Sequence, residues 1–107
     1  MFQFIESPLF ERLVHDYLDD DSYGALQAWL AASPETGDLI PGSGGCRKLR
    51  WRTVGRGKRG GVRVIYYLKL RHGQIWLLTI YGKGAVDNIP GHVLKALKES
   101  LVDEEAD

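Results

Sequence analysis

The sequence predicts an α+β fold, and two observations on hydrophobic spacing lead to this class. Apolar residues recur at helical spacing in two segments near the N-terminus and again near the C-terminus. Between them, from residue 46 to 81, the pattern changes to period two and to β-branched and aromatic runs. The chain of 107 residues is the size of one domain, so 1–107 is expected to be a single domain. The predicted order is β-α-α-β-β-β-α, with an antiparallel meander and the helices packed on one face of the sheet.

Each element has a local signal. Ser7 is a suitable N-cap and Pro8 a suitable first helical residue for a helix over about 8–18. The acidic run at 19–21 ends that helix and caps a second one, which stops before Pro34. The remaining elements are a first strand at 2–5, a loop at 34–45, strands from 46, at 62–70 and at 75–81, and a last helix opening at Asn88 or Pro90. The acidic tail, about 102–107, is expected to fray.

Charge is segregated along the chain although the net charge is zero. Residues 1–38 contain eight acids and one arginine, residues 39–86 contain eleven Lys or Arg and no acid, and residues 87–107 contain six acids and two lysines. This sorting indicates an anionic partner for the middle segment. The alternative is that the acidic helices fold back over the basic sheet and neutralise it.

The basic segment suits a phosphodiester chain. On a strand, Lys48, Arg50 and Arg52 project from one face, where like charges repel one another unless an anion is bound. The glycines that follow allow main-chain N–H groups to approach phosphate closely. Most aromatic residues here are expected in the core. Tyr81 is the exception, since it ends a strand beside a Gly-Lys-Gly turn and could stack on a base.

Other classes of function have little support. The single cysteine, Cys46, favours a reducing compartment, and neither a signal peptide nor a membrane-spanning run is evident, so a cytoplasmic protein without a membrane partner is expected. His15, His72 and His92 lack ligand spacing, so no metal and no cofactor are expected. The acids gather in helices, which argues against a paired-carboxylate hydrolase.

Four segments in this order resemble the RelE/HigB family of ribonuclease toxins from bacterial type II toxin–antitoxin modules. They are FIESPLFERL at 4–13, GDLIPGSGGCRKLRW at 37–51, GKRGGVRVIYY at 57–67 and LLTIYGK at 77–83. The combination is most similar to the HigB-type branch. The resemblance implies a RelE-like fold, an endoribonuclease (mRNA interferase) that cuts messenger RNA on the translating ribosome, and a cognate antitoxin, expected to be a helix-turn-helix protein.

The resemblance also implies roles for individual residues. Arg63 matches the family's phosphate-contacting arginine and Lys83 a basic residue after the next strand. The basic loop before the arginine is matched by Arg56, Lys58 and Arg59. The chain departs from the family after Lys83, where Gly84-Ala85 replaces a polar or basic residue, and at the start of the last helix, where His92 is the nearest candidate for a family Tyr or His.

A mechanism without metal follows from these roles. The RNA 2′-hydroxyl attacks the adjacent phosphorus, Arg63 stabilises the charge on the non-bridging oxygens, and Lys83 or Lys58 serves as acid or base. RNA binding is assigned to Lys48, Arg50, Arg52, Arg56, Arg59 and Tyr81. Two alternatives are a ParE-like toxin that binds a protein such as DNA gyrase and cuts nothing, and a non-catalytic RNA-binding module.

Overall fold

The computed structural model describes residues 2–52, 61–82, 84 and 89–105, with side chains described as far as Leu101. The strands are β1 (Gln3–Glu6), β2 (Asp38–Leu39), β3 (Arg47–Trp51), β4 (Val62–Lys69) and β5 (Gln74–Gly82). The helices are α1 (Pro8–Tyr17), α2 (Asp20–Ala32) and α3 (Gly91–Glu105), with a single 3₁₀ turn at Leu70–His72. No helix in these residues is long and apolar enough to cross a membrane.

The two N-terminal helices begin where their caps predict. The Ser7 hydroxyl accepts a hydrogen bond from the Phe10 N–H at 3.0 Å, and Pro8 is the first helical residue. The Asp19 carboxylate accepts from the Ser22 N–H at 2.8 Å and caps α2. Each cap satisfies a backbone donor that the helix leaves without an internal partner. The two predicted helices joined at the acidic run are therefore confirmed, and we refer to α1 and α2 together as the acidic hairpin.

The five strands form one mixed sheet in the order β1-β5-β4-β3-β2. Strands β3, β4 and β5 form the predicted antiparallel meander, and β1 adds to β5 in parallel. The expectation of a plain loop at 34–45 is wrong in one respect. Asp38 and Leu39 form a short strand on β3, because they pair with Lys48 and Arg47.

A bulge shifts the register within the β4–β5 pair. Ile65 lies opposite Thr79, whereas the next residue, Tyr66, lies opposite Leu77, so Leu78 is one extra residue on β5. The carbonyl of Leu78 accepts a hydrogen bond from the buried Ser7 hydroxyl at 2.7 Å. The N-cap residue of α1 therefore also supplies a donor to the bulge.

The sheet separates two apolar clusters. Val62, Val64 and Tyr66 of β4 pack with α1 and α2 in the first cluster, together with Ile75, Leu77 and Ile80 of β5. Ile65, Trp76 and Leu78 have the opposite parity on their strands and pack with α3 in the second. The helices are predicted on one face of the sheet, and α1 and α2 pack together on one face. Helix α3 lies with the second cluster.

The segment before β3 holds α3 in place. The Lys98 ammonium donates to the Gly44 carbonyl at 3.0 Å and lies 4.7 Å from the centre of the Tyr67 ring. A Cβ atom on Gly91 would lie 2.2 Å from the Pro41 carbonyl oxygen, so only glycine allows this close approach. The helical backbone continues to Glu105, into the tail expected to fray, and residues 106–107 lie outside the described residues.

Candidate nucleic-acid interface

Two predicted site residues are direct neighbours across the sheet. Arg50 on β3 lies opposite Arg63 on β4, and Arg63 lies opposite Tyr81 on β5. Residues opposite each other in antiparallel strands share a face, with Cβ atoms about 5 Å apart. In the next row, Lys48 lies opposite Ile65. We refer to Lys48, Arg50 and Arg63 as the cation row.

The cation row lies on the face away from the acidic helical hairpin. Val62 and Val64, on either side of Arg63 in β4, are fully buried in the cluster that packs with α1 and α2. Alternation along the strand therefore directs Arg63 to the other face. The alternative in which the acidic hairpin folds over the basic face does not describe this structure.

One carboxylate, that of Asp38, borders the cation row. Asp38 on β2 lies opposite Lys48, on the same face. The acid-free segment begins immediately after Asp38, so the chain sequence alone placed this carboxylate with the acidic part. Only the pairing of β2 brings it beside a lysine.

Tyr81 is a core residue, so the expected stacking of its ring on a base is not available in this structure. Only 7% of the side chain is exposed, and it belongs to the cluster that packs with α3. Burial raises the pKa of the Tyr81 hydroxyl above its ordinary value, and the positive charge of Arg63 partly offsets that rise. The hydroxyl thus lies within the electrostatic influence of the arginine.

Arg52 does not continue the cation row. It follows the last residue of β3 and lines a groove with Asp19, Asp21 and Ser22 at the start of α2. Strand alternation, on which the prediction rested, ends with Trp51. Arg52 is exposed, on the side of the sheet where the acidic hairpin lies.

Arg47 has a structural role that separates it from the other cations. Its guanidinium donates to the carbonyl oxygens of Glu35 at 3.1 Å and Gly37 at 2.8 Å. The hydroxyl of the opposing Tyr66 accepts from the Gly37 N–H at 2.9 Å and donates to the Pro34 carbonyl at 2.7 Å. These bonds fix the segment between α2 and β2.

Four of the nine predicted site residues lie outside the described residues: Arg56, Lys58, Arg59 and Lys83. Gly61, which leads into β4, is described. It has φ of +69°, and a Cβ there would lie 2.2 Å from the Trp51 carbonyl oxygen. Both the left-handed conformation and the close approach favour glycine at this position.

Metal-ligating side chains do not gather in the described part of the chain. No group of three His, Cys, Asp or Glu residues there is arranged to hold a metal ion. Cys46 is fully buried, and this burial raises the pKa of its thiol above the ordinary value.

Comparison with known proteins bears on the fold. No protein-family model matches the chain. In three dimensions the chain is similar to the solved structure of the E. coli toxin RelE, a double arginine-to-alanine mutant in the free state. The similarity has a TM-score of 0.53, covers 97% of each chain and comes with 14% sequence identity. The chain therefore has the predicted RelE-like α+β fold. Likeness at this identity concerns the fold, and function has to be argued from the site.

Proposed function

We propose that this protein is the toxin of a bacterial type II toxin–antitoxin module and cuts messenger RNA on the translating ribosome. The observation that carries the proposal is the position of Arg50 beside Arg63, on the face away from the acidic hairpin, in a RelE-like fold. Two guanidinium groups held this close repel each other and together suit the oxygens of a phosphodiester. The HigB-type branch rests on the sequence resemblance.

The proposed reaction requires no metal. The RNA 2′-oxygen forms a bond to the adjacent phosphorus as the bond to the 5′-oxygen breaks, which leaves a 2′,3′-cyclic phosphate and a 5′-hydroxyl. Negative charge increases on the non-bridging oxygens during this step. Arg63 is the residue that would stabilise it, because a guanidinium meets two oxygens at once and stays protonated.

The remaining roles follow from position and from the resemblance. Lys83 or Lys58 would take the proton from the 2′-hydroxyl or give one to the leaving oxygen. Lys48 and Arg50 would hold the backbone beside the reacting phosphate, with Arg56 and Arg59 binding further phosphates. Tyr81 would help to position the arginine, since its ring is packed in the core.

The proposed partners are the ribosome, messenger RNA and a cognate antitoxin of helix-turn-helix type, and the proposed location is the cytoplasm. An acidic or amphipathic antitoxin segment would be attracted to the basic face. Such attraction should weaken as salt increases, except where contacts are buried.

Primer extension in a translating lysate tests this proposal. The parent protein should produce new 5′ ends that carry a hydroxyl within a translated message, and the matching upstream fragments should end in 2′,3′-cyclic phosphates. Arg63→Ala should lower the cleavage rate by a factor of about 100 to 1,000, the usual effect of removing one donor to developing charge. The matched control is Arg71→Ala, an exposed arginine at the far end of β4, which should cleave like the parent.

The same assay separates the alternatives. A ParE-like toxin would produce no new ends, and DNA gyrase inhibition would be observed instead. A non-catalytic RNA-binding module would also leave messages intact, and its RNA affinity would survive Lys83→Ala. Equal cleavage by Arg63→Ala and the parent would remove Arg63 from the mechanism.

A further inference from the structure

Tyr81 carries a buried hydroxyl for which the described part of the chain provides no hydrogen-bond partner. The side chain is 7% exposed, and no hydrogen bond joins its hydroxyl to another residue in the described ranges. Folded proteins pair most of their buried polar groups, because a buried hydroxyl without a partner has lost its bonds to water. The hydroxyl is therefore either a cost that the fold tolerates or a donor that a ligand pairs.

This hydroxyl lies beside the cation row. Tyr81 is directly opposite Arg63 in the β4–β5 pair, so the two side chains leave the same face of the sheet from neighbouring strands. The positive charge of Arg63 also acts on the hydroxyl, since it lowers the Tyr81 pKa against the rise that burial causes. A hydroxyl donor and a guanidinium are therefore close together at the β5 end of the cation row.

Thr79 shows that burial alone does not decide between these explanations. It is 4% exposed, it shares a strand and a face with Tyr81, and its hydroxyl also has no hydrogen-bond partner among the described residues. Its neighbour on β4 is Ile65, a buried apolar residue, whereas the neighbour of Tyr81 is Arg63. Of the two hydroxyls, only that of Tyr81 has a guanidinium directly opposite, and a positive charge favours an anionic ligand.

The chemistry of the hydroxyl and the guanidinium specifies the ligand. A protonated tyrosine hydroxyl donates a hydrogen bond, and a guanidinium can only donate. Both are satisfied by an oxygen that accepts and is negatively charged, such as a non-bridging oxygen of a phosphodiester. A phosphodiester also suits Lys48 and Arg50, because its charges repeat along a chain and the cation row extends over β3 and β4.

We propose that the Tyr81 hydroxyl donates a hydrogen bond to a non-bridging oxygen of the RNA phosphate that Arg63 binds. Tyr81 is then a second donor to that phosphate, in addition to the positioning of Arg63 that its packed ring supplies. One part rests on the proposed function: during cleavage, both donors stabilise the charge that develops on the phosphate. The phosphate contact itself requires no ribonuclease activity.

A donor reserved for a ligand differs from a packing residue in its effect on stability. Tyr81→Phe keeps the ring in the cluster that packs with α3 and removes only the hydroxyl. The urea midpoint of the free protein should therefore rise, because a buried donor without an acceptor is removed. RNA affinity should fall in the same variant. A hydroxyl that served the fold through a bond of its own would lower the midpoint when removed.

Binding of a short single-stranded RNA to the full chain tests the contact. The RNA carries 2′-O-methyl groups throughout, so it lacks the attacking hydroxyl and stays intact. Tyr81→Phe should weaken binding by about tenfold or more, the usual loss for one hydrogen bond to a charged group. The slope of log affinity against log salt should not change, because a neutral donor releases no counterion. Arg63→Gln should lower that slope by about one.

Two control variants and one double variant complete the test. Thr79→Val removes the other buried hydroxyl and should raise the urea midpoint without any loss of RNA affinity. Tyr67→Phe, at the other end of β4, should bind RNA like the parent. In the Arg63→Gln background, Tyr81→Phe should still weaken binding by at least about threefold, because the hydroxyl contacts the phosphate directly. Under the proposed function, Tyr81→Phe alone should also slow message cleavage by about tenfold or more.

Several outcomes would overturn the inference. They are equal RNA binding by Tyr81→Phe and the parent, a lower urea midpoint in Tyr81→Phe, or an equal loss of affinity in Thr79→Val. A loss that disappears in the Arg63→Gln background would show that Tyr81 acts only by positioning the arginine. Weaker RNA binding by Tyr81→Phe, together with no message cleavage by the parent, would support the contact and contradict only the proposed function.

Discussion

Arg50 and Arg63 lie directly opposite each other in the antiparallel pair of β3 and β4. Their Cβ atoms are about 5 Å apart in this arrangement, so two positive charges share one small area of the sheet. Val62 and Val64 fix the face to which Arg63 points, because both are buried beneath the helical hairpin. Like charges this close repel each other, and an anion bound beside both would relieve that repulsion.

Replacing one of these arginines should therefore stabilise the protein. Arg50→Gln is expected to raise the free energy of unfolding by about 0.2 to 1 kcal/mol at low salt. The gain should shrink at high salt because added ions screen the repulsion. Urea unfolding at two salt concentrations measures it, with Arg71→Gln as control. A loss of stability in Arg50→Gln would show that the repulsion is not significant.

The same substitution should weaken RNA binding. One phosphate contact fewer is expected to reduce the slope of log affinity against log salt by about one. Fluorescence titration of a short single-stranded RNA across a salt series gives this slope. An unchanged slope would mean that Arg50 does not contact phosphate.

Arg63 should be detectable through the titration of Tyr81. Burial raises the pKa of Tyr81 above the ordinary 10.0, and the charge of Arg63 lowers it in part. Arg63→Gln should therefore raise the pKa of Tyr81 further, as measured by ultraviolet titration with Tyr81→Phe identifying the signal. The pKa of the Tyr81 hydroxyl is higher in the folded chain than in the unfolded chain. The contribution of this group to stability is therefore complete below about pH 10 and is lost as the pH rises through its folded-state pKa. A lower pKa in Arg63→Gln would contradict the proximity of the two groups.

Tyr66→Phe should loosen the connection between α2 and β2. It removes the acceptor of the Gly37 N–H and the donor to the Pro34 carbonyl. A buried donor without a partner costs about 1 to 3 kcal/mol, so the free energy of unfolding should fall by that amount. Amide exchange at Gly37 should accelerate as well. Tyr67→Phe is the control, because its ring contacts with Trp76 and Lys98 would persist.

Cys46 should be unreactive in the folded protein. The thiol is fully buried, with Sγ 3.5 Å from the Ser43 carbonyl oxygen, and burial raises its pKa above the ordinary 9.0. Alkylation by iodoacetamide at neutral pH should be slow and should accelerate only as urea unfolds the chain. Mass spectrometry of samples taken across the transition measures this. Rapid labelling without urea would contradict the packing of α3 over Cys46.

Local signals predicted most of the elements. The caps at Ser7 and Asp19 and the alternation along β3 act within a few residues, so the sequence alone reveals them. The parallel pairing of β1 with β5 and the two-residue strand β2 join segments far apart in the chain. No local pattern encodes such partners.

The site was predictable to a similar extent. Alternation alone placed Lys48 and Arg50 on one face, but the position of Arg63 opposite Arg50 depends on the register of two strands. The burial of Tyr81 depends on α3, whose Leu94 and Leu101 belong to the same cluster. Its position beside a Gly-Lys-Gly turn predicts that Tyr81 is exposed. The ring is buried instead, because α3, which is distant in the sequence, packs against it.

The extra residue at Leu78 restricts how this chain can change its length. From Thr79 onward, β5 is in the register that places Tyr81 opposite Arg63. The shift in register just before it is due to the extra residue Leu78, whose carbonyl accepts a hydrogen bond from the Ser7 hydroxyl. Deleting this extra residue would leave a regular ladder with the same partners, but it would remove the Leu78 carbonyl to which the Ser7 hydroxyl donates and the Leu78 side chain from the second cluster. Related genes should therefore show single-residue insertions and deletions in the segments before β3 and after β5, and none within this stretch.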